Sequence, residues 1–432
     1  MKNNKKTNLG KRKKVSVIIA TALAIILSFT CGYFSHYVFL PDKSTTANEL
    51  IRIIEDCSYI LDENGNPREF TSSDYANAIA NGLLDKYSTY YSPEEYEKVQ
   101  SEGKGNQSGY GIYLYDEKHE PVIKEVIGNS PADRGGIRDG DYVNSCKVDG
   151  QEKVVFATTK DLIDYFANIS ADQIVTFEII RGEQTFIVSI QKENYKTSYV
   201  TYYDNERKVS LFMSDGQFVP NAFNEEKLDE LDDDTALIKL TLFEGDVAMQ
   251  FRVALNYMKE QGRTKLILDL RGNLGGYLDV LSDVASDLIY NGNQKTLIAY
   301  SQGKTESESL YMNTAKKHDF ITDIAVLANR KTASASECLI GAMLHYGENF
   351  SINRLVIEKD EDGIARTFGK GIMQKTYLLK SGGAFKLTTA KILWPDKTTC
   401  IHGQGVLPLT ENATNAGINA VIRAQETLNL PI

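Results

Sequence analysis

Residues 265–276 read KLILDLRGNLGG, and this stretch indicates the fold of the chain. Lys265–Leu270 has the nearly continuous apolar run of a strand that is buried on both faces. Leu278–Ile289 has apolar residues at helical spacing, and the glycines between the two segments allow a tight turn. A strand, a turn and a helix in this order are typical of a layered α/β core.

The alternation of strands and helices continues on both sides of this unit. The further predicted elements are strands at Ala236–Leu242 and Ile324–Asn329, helices at Asp246–Gln261 and Ser334–Tyr346, and paired strands at Ile372–Leu379 and Ala384–Leu393. We therefore predict a multidomain α/β (α+β) protein with its main core in residues 195–432.

Residues 105–194 alternate short β-rich runs with turn signals and predict a separate β-domain. The phrase SPADRGGIRDGD (130–141) resembles one that is common in PDZ domains. Such domains bind an extended C-terminal peptide by strand addition, and backbone N–H groups of a glycine-containing loop receive its carboxylate. The corresponding substrate-binding residues are Gly109, Tyr110, Gly111 and Ile112. The alternative is a small β-domain with ordinary turn glycines.

The N-terminal segment separates into a basic part and an apolar part. Residues 1–14 hold seven basic residues and no acids, and residues 15–40 hold no charged residue. About 20 apolar residues can cross a bilayer as a helix, and a preceding basic cluster stays cytoplasmic. We therefore predict a single-pass transmembrane anchor in the cell membrane, with the body of the protein outside. A cleaved signal peptide is the alternative, although no A-x-A-like cleavage site follows.

Residues 41–104 predict a mostly helical region. Helices are expected at Ala47–Leu61 and Tyr75–Lys86, and a third should begin at Pro93, capped by Ser92. The Gly/Ser-rich segment Ser101–Gly109 is interpreted as a linker.

Composition limits the classes of partner. The hydrophobic share of 42% and the charged share of 25% are those of a folded globular protein. The net charge is −10 although the first 14 residues are basic, so the body of the protein is acidic. This charge disfavours nucleic-acid binding, which usually requires a basic surface. The cysteines show no C-x-x-C or zinc-site spacing.

Two turns in the predicted core carry residues suited to catalysis. In the first, Gly275 and Gly276 precede a helix, so exposed backbone N–H groups could stabilise a developing oxyanion. The alternative is a tight structural turn. In the second, Ser334 begins a helix among alanines, and the N–H of Ala335 would point to an anion formed beside it. The alternative is a helix cap, since Ser334 and Glu337 have capping-box spacing.

A lysine bracketed by glycines follows in the phrase TFGKG (367–371). A serine hydroxyl requires a nearby base, and lysine can serve when burial lowers its pKa. Lys370 is the candidate base, and Gln374 lies four residues later; a solvated loop lysine is the alternative. None of the five histidines lies in a phrase typical of a Ser-His-Asp triad, and no G-x-S-x-G sequence occurs.

These phrases together resemble the carboxyl-terminal processing peptidases, also called tail-specific proteases. The matching phrases, in the order of that family, are LDKYSTYYSPEEY (84–96), the PDZ phrase, LILDLRGNLGG (266–276), TASASE (332–337), TFGKGIMQ (367–374) and LTTAKILWP (387–395). The resemblance implies that Ser334 is the nucleophile, Lys370 the general base and Gln374 the residue that holds the lysine. It places the oxyanion donors at Ala335 and in the Gly275–Gly276 turn.

The resemblance also implies a layered crotonase/Clp-like protease core with an inserted PDZ domain. It implies a serine endopeptidase that needs no metal or other cofactor and acts on proteins or peptides with accessible C-termini. It allows a homodimer. Two alternatives are an inactive PDZ scaffold and a crotonase-like acyl enzyme. The intact Ser334, Lys370 and Gln374 argue against the first, and the predicted anchor and PDZ phrase argue against the second.

The chain departs from the family pattern at several places. Lys331 and Thr332 replace the usual Gly-Ser, Leu274 replaces Pro or Gly, and no Asp follows Pro408. The interval between the serine and the lysine is long, and the extra residues are assigned to an acidic hairpin in Asn353–Ala365. These changes concern substrate preference and regulation more than the catalytic pair.

Overall fold

A computed structural model describes residues 43–57, 60, 68–115, 118–214, 217–223, 227–292, 295–304, 306–312, 318–380 and 382–430. The described residues divide into two compact units, one within residues 43–79 and one within residues 80–430. The α-helices in the described residues are α1 (Lys43–Cys57), α2 (Ser72–Leu83), α3 (Pro93–Gly103), α4 (Pro131–Arg134), α5 (Thr159–Ala167), α6 (Val247–Glu260), α7 (Leu278–Ala285), α8 (Ala335–Tyr346) and α9 (Ile418–Thr427).

The strands are numbered in chain order. The first nine are β1 (Thr89–Tyr91), β2 (Asn106–Gly109), β3 (Ile112–Leu114), β4 (Ile123–Val126), β5 (Tyr142–Val148), β6 (Val154–Val155), β7 (Ile174–Arg181), β8 (Gln184–Gln191) and β9 (Glu193–Lys196). The strands that follow are β10 (Val200–Tyr203), β11 (Lys208–Ser214), β12 (Gln217–Phe223), β13 (Thr235–Leu240), β14 (Lys265–Asp269), β15 (Leu297–Gly303), β16 (Ser307–Tyr311), β17 (Asp323–Ala328), β18 (Leu355–Glu358), β19 (Ile372–Leu378), β20 (Ala384–Leu393) and β21 (Ala413–Thr414).

The three predicted helices of the lead-in are present as α1, α2 and α3, and the first two begin a few residues earlier than expected. Helix α3 begins where its cap predicts, because Ser92 and Glu95 exchange hydrogen bonds. The Ser92 N–H donates to the Glu95 carboxylate at 2.8 Å, and the Glu95 N–H donates to the Ser92 hydroxyl at 3.2 Å.

The predicted membrane localisation is corrected by the helices of the structure. None of the helices in the described residues combines the length and the apolar character needed to cross a membrane. The predicted basic tail (residues 1–14) and anchor (residues 15–40) lie outside the described residues.

The centre of the second unit is an eight-stranded sheet with the order β12-β11-β10-β13-β14-β17-β18-β21. The strands from β13 to β21 in this order are parallel, and β10, β11 and β12 are antiparallel to their neighbours. The parallel half contains the buried strand at Lys265–Asp269 that the sequence predicts.

Helices cover both faces of this sheet, which explains its continuous apolar strands. Leu266 and Leu268 of β14 pack in the same cluster as the apolar residues of α6, α7 and α8. Ile267, between them, belongs to a second cluster with Ala420 and Val421 of α9. The predicted layered α/β core is thus confirmed as a mixed α/β fold.

A second sheet is antiparallel and has the order β1-β20-β15-β16, with β19 also paired to β20. In the pair of β19 and β20, Ile372 is opposite Lys391 and Leu378 is opposite Ala384. The predicted pairing of the two strands after Lys370 is therefore confirmed.

Residues 106–196 form a smaller region with its own apolar core. Its first strand, β2, pairs with its last, β9, and Asn106 is opposite Lys196. The linker predicted at Ser101–Gly109 was therefore wrong, because α3 continues to Gly103 and the second half of the segment is strand β2.

The segment assigned to an acidic hairpin, Asn353–Ala365, forms a hairpin in its second half. A bridge joins Lys359 to Ala365 across a turn. The first half contributes β18, which is buried in the eight-stranded sheet.

Candidate active site

The serine and glycine turns lie side by side because they follow adjacent parallel strands. β14 pairs with β17, so both turns leave the sheet at the carboxyl ends of their strands, where α/β proteins commonly place their sites. The Ala333 N–H donates to the Asn273 carbonyl at 2.9 Å, and the Thr332 hydroxyl donates to the Leu270 carbonyl at 2.8 Å. Hydrogen bonds thus join the two turns directly.

Ser334 occupies a sharp turn rather than an ordinary helix cap. Its φ is 57°, in the left-handed region that residues other than glycine seldom adopt, whereas an N-cap residue usually has extended backbone. The side chain is half-buried at the start of α8. Backbone strain of this kind persists where surrounding contacts hold it, and such positions cluster at active sites.

Glu337 provides those contacts and joins the serine turn to the lysine loop. The residue is fully buried, and its carboxylate accepts hydrogen bonds from four donors. They are the backbone N–H groups of Ser334 at 2.8 Å, Gly369 at 2.7 Å and Lys370 at 2.9 Å, and the Thr367 hydroxyl at 2.5 Å. Burial raises the pKa of Glu337, and the hydrogen bonds oppose this shift.

The lysine loop is also held from its other side by residues 401–406. The Gly403 N–H donates to the Gly369 carbonyl at 2.9 Å, and the Val406 N–H donates to the Thr367 hydroxyl at 2.7 Å. A Cβ atom on Gly369 would lie 2.7 Å from the Gly405 nitrogen, so this position requires glycine. The backbone around Lys370 is therefore fixed on two sides.

The Lys370 side chain points to an amide with a defined orientation. Its Nζ donates to Gln374 Oε1 at 3.1 Å, and Gln374 Nε2 donates to the Tyr87 carbonyl at 2.7 Å. The Nζ atom also lies 5.4 Å from the centre of the Tyr87 ring. Burial lowers the pKa of Lys370 and the positive charge of Lys386 lowers it further, while Asp85 has the opposite effect.

The glycine turn packs directly against the serine. A Cβ atom on Gly275 would lie 2.7 Å from the Ser334 Cβ and 2.9 Å from the Ala335 nitrogen. The Gly275 N–H is already donated to Asn273 Oδ1 at 2.9 Å, so it differs from the free donor that the sequence predicts. Within the described residues no acceptor receives the N–H of Ala335 or Gly276. These two groups are therefore the donors still available beside the serine turn.

Comparison with known proteins assigns this arrangement to a family. Residues 234–411 match the sequence profile described as Peptidase family S41. The match places residues 234–411 in peptidase family S41. The resemblance inferred from the sequence phrases is confirmed, and so is the prediction that the protein is a serine peptidase.

Relatives of this S41 peptidase match most of its length. A Staphylococcus aureus protein called "Probable CtpA-like serine protease" is 26% identical over 412 residues, which cover 94% of this chain and 73% of the relative. A Staphylococcus saprophyticus protein of the same name is 25% identical over 410 residues, with 94% and 74% covered.

Among solved structures, the photosystem II D1 C-terminal processing protease is 21% identical to this S41 peptidase. The match covers 78% of this chain and 80% of the other, with a TM-score of 0.43. Because this score is low, the site is described from the peptidase's own contacts alone.

The residues predicted for peptide binding in the S41 peptidase lie in the smaller region, outside the part that matches the family profile. Gly109 ends β2, Ile112 begins β3, and Tyr110 is buried between them. Gly111 has a φ of 81°, and a Cβ atom there would lie 2.0 Å from the Ser130 Cβ. The glycine loop and the phrase at 130–141 are therefore packed against each other, and their role in peptide binding stays a prediction.

Sequence reasoning missed three contributors to the site of the S41 peptidase. Glu337 was recognised as a capping residue, but its bonds to the lysine loop were not. The Tyr87 carbonyl is a backbone group, which carries no sequence signal. Lys386 stands next to a family phrase, yet nothing in the sequence indicates that it lies near Lys370.

The described residues of the S41 peptidase contain no group of three or more His, Cys, Asp or Glu side chains placed to hold a metal ion. The expected independence from metals and other cofactors stays a prediction.

Proposed function

We propose that this S41 peptidase is an endopeptidase of the C-terminal processing type that uses a Ser334–Lys370 dyad. One observation supports the proposal above the others. The buried carboxylate of Glu337 accepts hydrogen bonds from the backbone N–H of both residues, which lie far apart in the sequence. A shared carboxylate that fixes a strained serine and a half-buried lysine is typical of a catalytic arrangement more than of a structural one.

In the proposed reaction, neutral Lys370 removes the proton of the Ser334 hydroxyl as its oxygen attacks the substrate carbonyl. The N–H groups of Ala335 and Gly276 donate to the oxyanion of the tetrahedral intermediate. Lys370 then returns the proton to the leaving amine, and the acyl-enzyme forms. Water, deprotonated by Lys370, attacks the ester and releases the acid and the serine.

Gln374 has a positioning role in this reaction. Its amide oxygen accepts one hydrogen bond from the lysine Nζ, while its own N–H group is committed to the Tyr87 carbonyl. An amine that donates to Gln374 retains its lone pair for the serine proton. The lowered pKa of Lys370 increases the fraction of lysine that is neutral.

Residues 105–194 are proposed to act as a PDZ domain that docks substrate C-termini, with 195–432 as the protease core and 41–104 as a helical lead-in. The support is the loop Gly109–Ile112, in which Gly109 and Gly111 have positive φ and Gly111 packs closely against Ser130. Substrates would be proteins or peptides with accessible C-termini. The homodimer that the resemblance allows stays a prediction.

The test is hydrolysis of an unfolded protein by the full chain. Ser334→Ala and Lys370→Ala should each lower kcat/KM by about 1,000-fold or more without lowering the melting temperature, since neither side chain is part of the core. Lys331→Ala is the matched control, because Lys331 is an exposed lysine beside the serine turn. Hydrolysis by Lys370→Ala at the wild-type rate would contradict the dyad.

A further inference from the structure

We propose that Lys386 is a positioning residue for the reaction, and that its positive charge keeps Lys370 in the neutral form that accepts a proton. The inference rests on the proposed function of Lys370 as general base. It adds a residue from strand β20 to a site that otherwise consists of loops, the start of α8 and one residue of β19.

The register of the second sheet places Lys386 beside the residue that holds Lys370. In the β19–β20 pair, Gln374 is opposite Thr388 and Thr376 is opposite Lys386. Residues two apart on one strand share a face, so Gln374 and Lys386 lie on the same face as diagonal neighbours. The amide of Gln374 binds the Lys370 Nζ on that face.

Strand β1, which pairs with the other edge of β20, also places Lys386 near the groups that anchor Lys370. Thr89 of β1 is opposite Lys386, and Tyr87 lies two residues before Thr89. The Tyr87 carbonyl is the acceptor that fixes Gln374. Lys386 therefore lies between two segments that each contribute to the anchoring of Lys370, and its side chain is half-buried.

Other charged and titratable groups also surround Lys370. Asp85 accepts from the Ser88 hydroxyl at 2.7 Å, and its carboxylate favours the charged lysine. The Lys86 ammonium lies 5.1 Å from the centre of the Tyr87 ring, and the His402 ring packs edge-on at 6.3 Å from the same ring. A substitution at position 386 does not change these groups, so their effect on the pKa of Lys370 is the same in the wild type and in the variants.

Arg330 is a further cation beside the lysine loop. Its guanidinium donates to the Thr367 carbonyl at 2.9 Å and to the Phe368 carbonyl at 3.4 Å. Both acceptors precede Lys370 in the chain, so these bonds hold the arginine at the start of the loop. Its charge likewise stays constant when position 386 is changed.

Two further carboxylates, Glu337 and Glu244, lie near the two lysines. Glu337 is saturated by its four donors. Glu244 interacts electrostatically with Lys386, but within the described residues no carboxylate lies within 4.0 Å of the Lys386 ammonium. The charge of Lys386 thus acts on Lys370 without a tight ion pair to cancel it.

The sign of the effect follows from like-charge repulsion. A second ammonium disfavours protonation of Lys370, so it lowers the pKa of that lysine. A neutral residue at position 386 raises this pKa. Since the base must be neutral, the rising limb of kcat/KM against pH then moves to higher pH.

The experiment is the pH profile of kcat/KM for the full chain, from about pH 6 to pH 10, the range in which a perturbed lysine titrates. For Lys386→Met we expect about a three- to tenfold loss at pH 7 that disappears as the pH rises. Lys386→Arg keeps the charge and should keep the wild-type limb. Lys391→Met removes an exposed lysine of the same strand and should also leave the profile unchanged.

The inference would be overturned if the rising limb of kcat/KM in Lys386→Met lay at the same pH as in the wild type. An equal loss of kcat/KM at every pH would also overturn it, because such a loss would indicate a structural role. If the Met variant does not fold, Lys386→Gln provides the same neutral charge with a polar side chain. Lys370→Ala is measured in parallel. Full activity of that variant would contradict the proposed dyad itself, whereas its inactivity beside an unshifted Lys386→Met limb would contradict the inference alone.

Discussion

Gly275 in the peptidase core (residues 234–411) and Gly150 in the smaller region (residues 106–196) serve different purposes. In the core, Gly275 has a positive φ and also touches its neighbours, with room for no side chain between it and Ser334. In the smaller region, Gly150 has a φ of 80°, and a Cβ atom there would meet no atom within 4 Å. The first glycine allows two loops to approach, whereas the second allows a turn.

One carboxylate from each region shows the same contrast. In the core, the carboxylate of Glu337 joins loops that are distant in sequence. In the smaller region, the carboxylate of Asp161 caps its own helix by accepting from the Thr158 N–H at 3.0 Å. In these examples, close contact between distant backbones builds the site, whereas local geometry forms one turn and one helix start of the smaller region. Three substitutions test this difference, in order of decreasing effect.

Gly275→Ala should have the largest effect. The added methyl group would displace Ser334 or the Ala335 nitrogen, so we expect a loss of about 100-fold or more in kcat/KM. Gly272→Ala is the matched control, because Gly272 lies in the same turn with a φ of 78° and open space around its Cβ position. Steady-state hydrolysis measures both variants. Equal losses of kcat/KM in the two variants would show that the positive φ, and not the close approach of Gly275 to Ser334, causes the loss.

Glu337→Gln should rank second. The amide keeps one acceptor oxygen but presents an N–H group to donors, so a buried hydrogen bond is lost and the free energy of unfolding falls by about 2–4 kcal/mol. We expect kcat/KM to fall about tenfold to 100-fold, because the serine turn and the lysine loop separate. Denaturant titration and hydrolysis assays measure the two effects. Unchanged activity beside lowered stability would mean that Glu337 supports the fold alone.

Gly150→Ala should have the smallest effect. An alanine at positive φ costs about 1–2 kcal/mol in the free energy of unfolding, and hydrolysis of an unfolded protein should stay at the wild-type rate. Gly111→Ala sharpens the test, because its methyl group would collide with Ser130. We expect Gly111→Ala to unfold at clearly lower denaturant concentration than Gly150→Ala. If both variants unfolded at the same concentration, the close contact between Gly111 and Ser130 would have no effect on stability.

The main fold could be predicted from sequence because its elements have strong local signals. The buried strand at Lys265–Asp269 and the helices on either side of it follow from apolar runs and helical periodicity. The segment Ser101–Gly109 misled because its composition is that of a linker. Its second half becomes a strand through pairing with residues 193–196, and no local pattern reports a partner so distant.

The candidate site likewise contains residues that the sequence indicates and contacts that it does not. Ser334, Lys370 and Gln374 stand in phrases with glycines and helix starts, so the sequence indicates them. The commitment of the Gly275 N–H to Asn273 could not be predicted, because it depends on how a side chain folds back onto its own loop. The contacts of Glu337 and Lys386 join distant elements, which composition and spacing do not contain.

The hydrogen bond from Gln374 to the Tyr87 carbonyl has a consequence for the synthesis of the enzyme. Its two partners are separated by 287 positions, so the lysine cannot be held until both segments have been made. At about 5–20 residues per second, translation takes roughly 15–60 s to cover that interval. We expect a ribosome-bound chain to remain unable to cut peptides during this time.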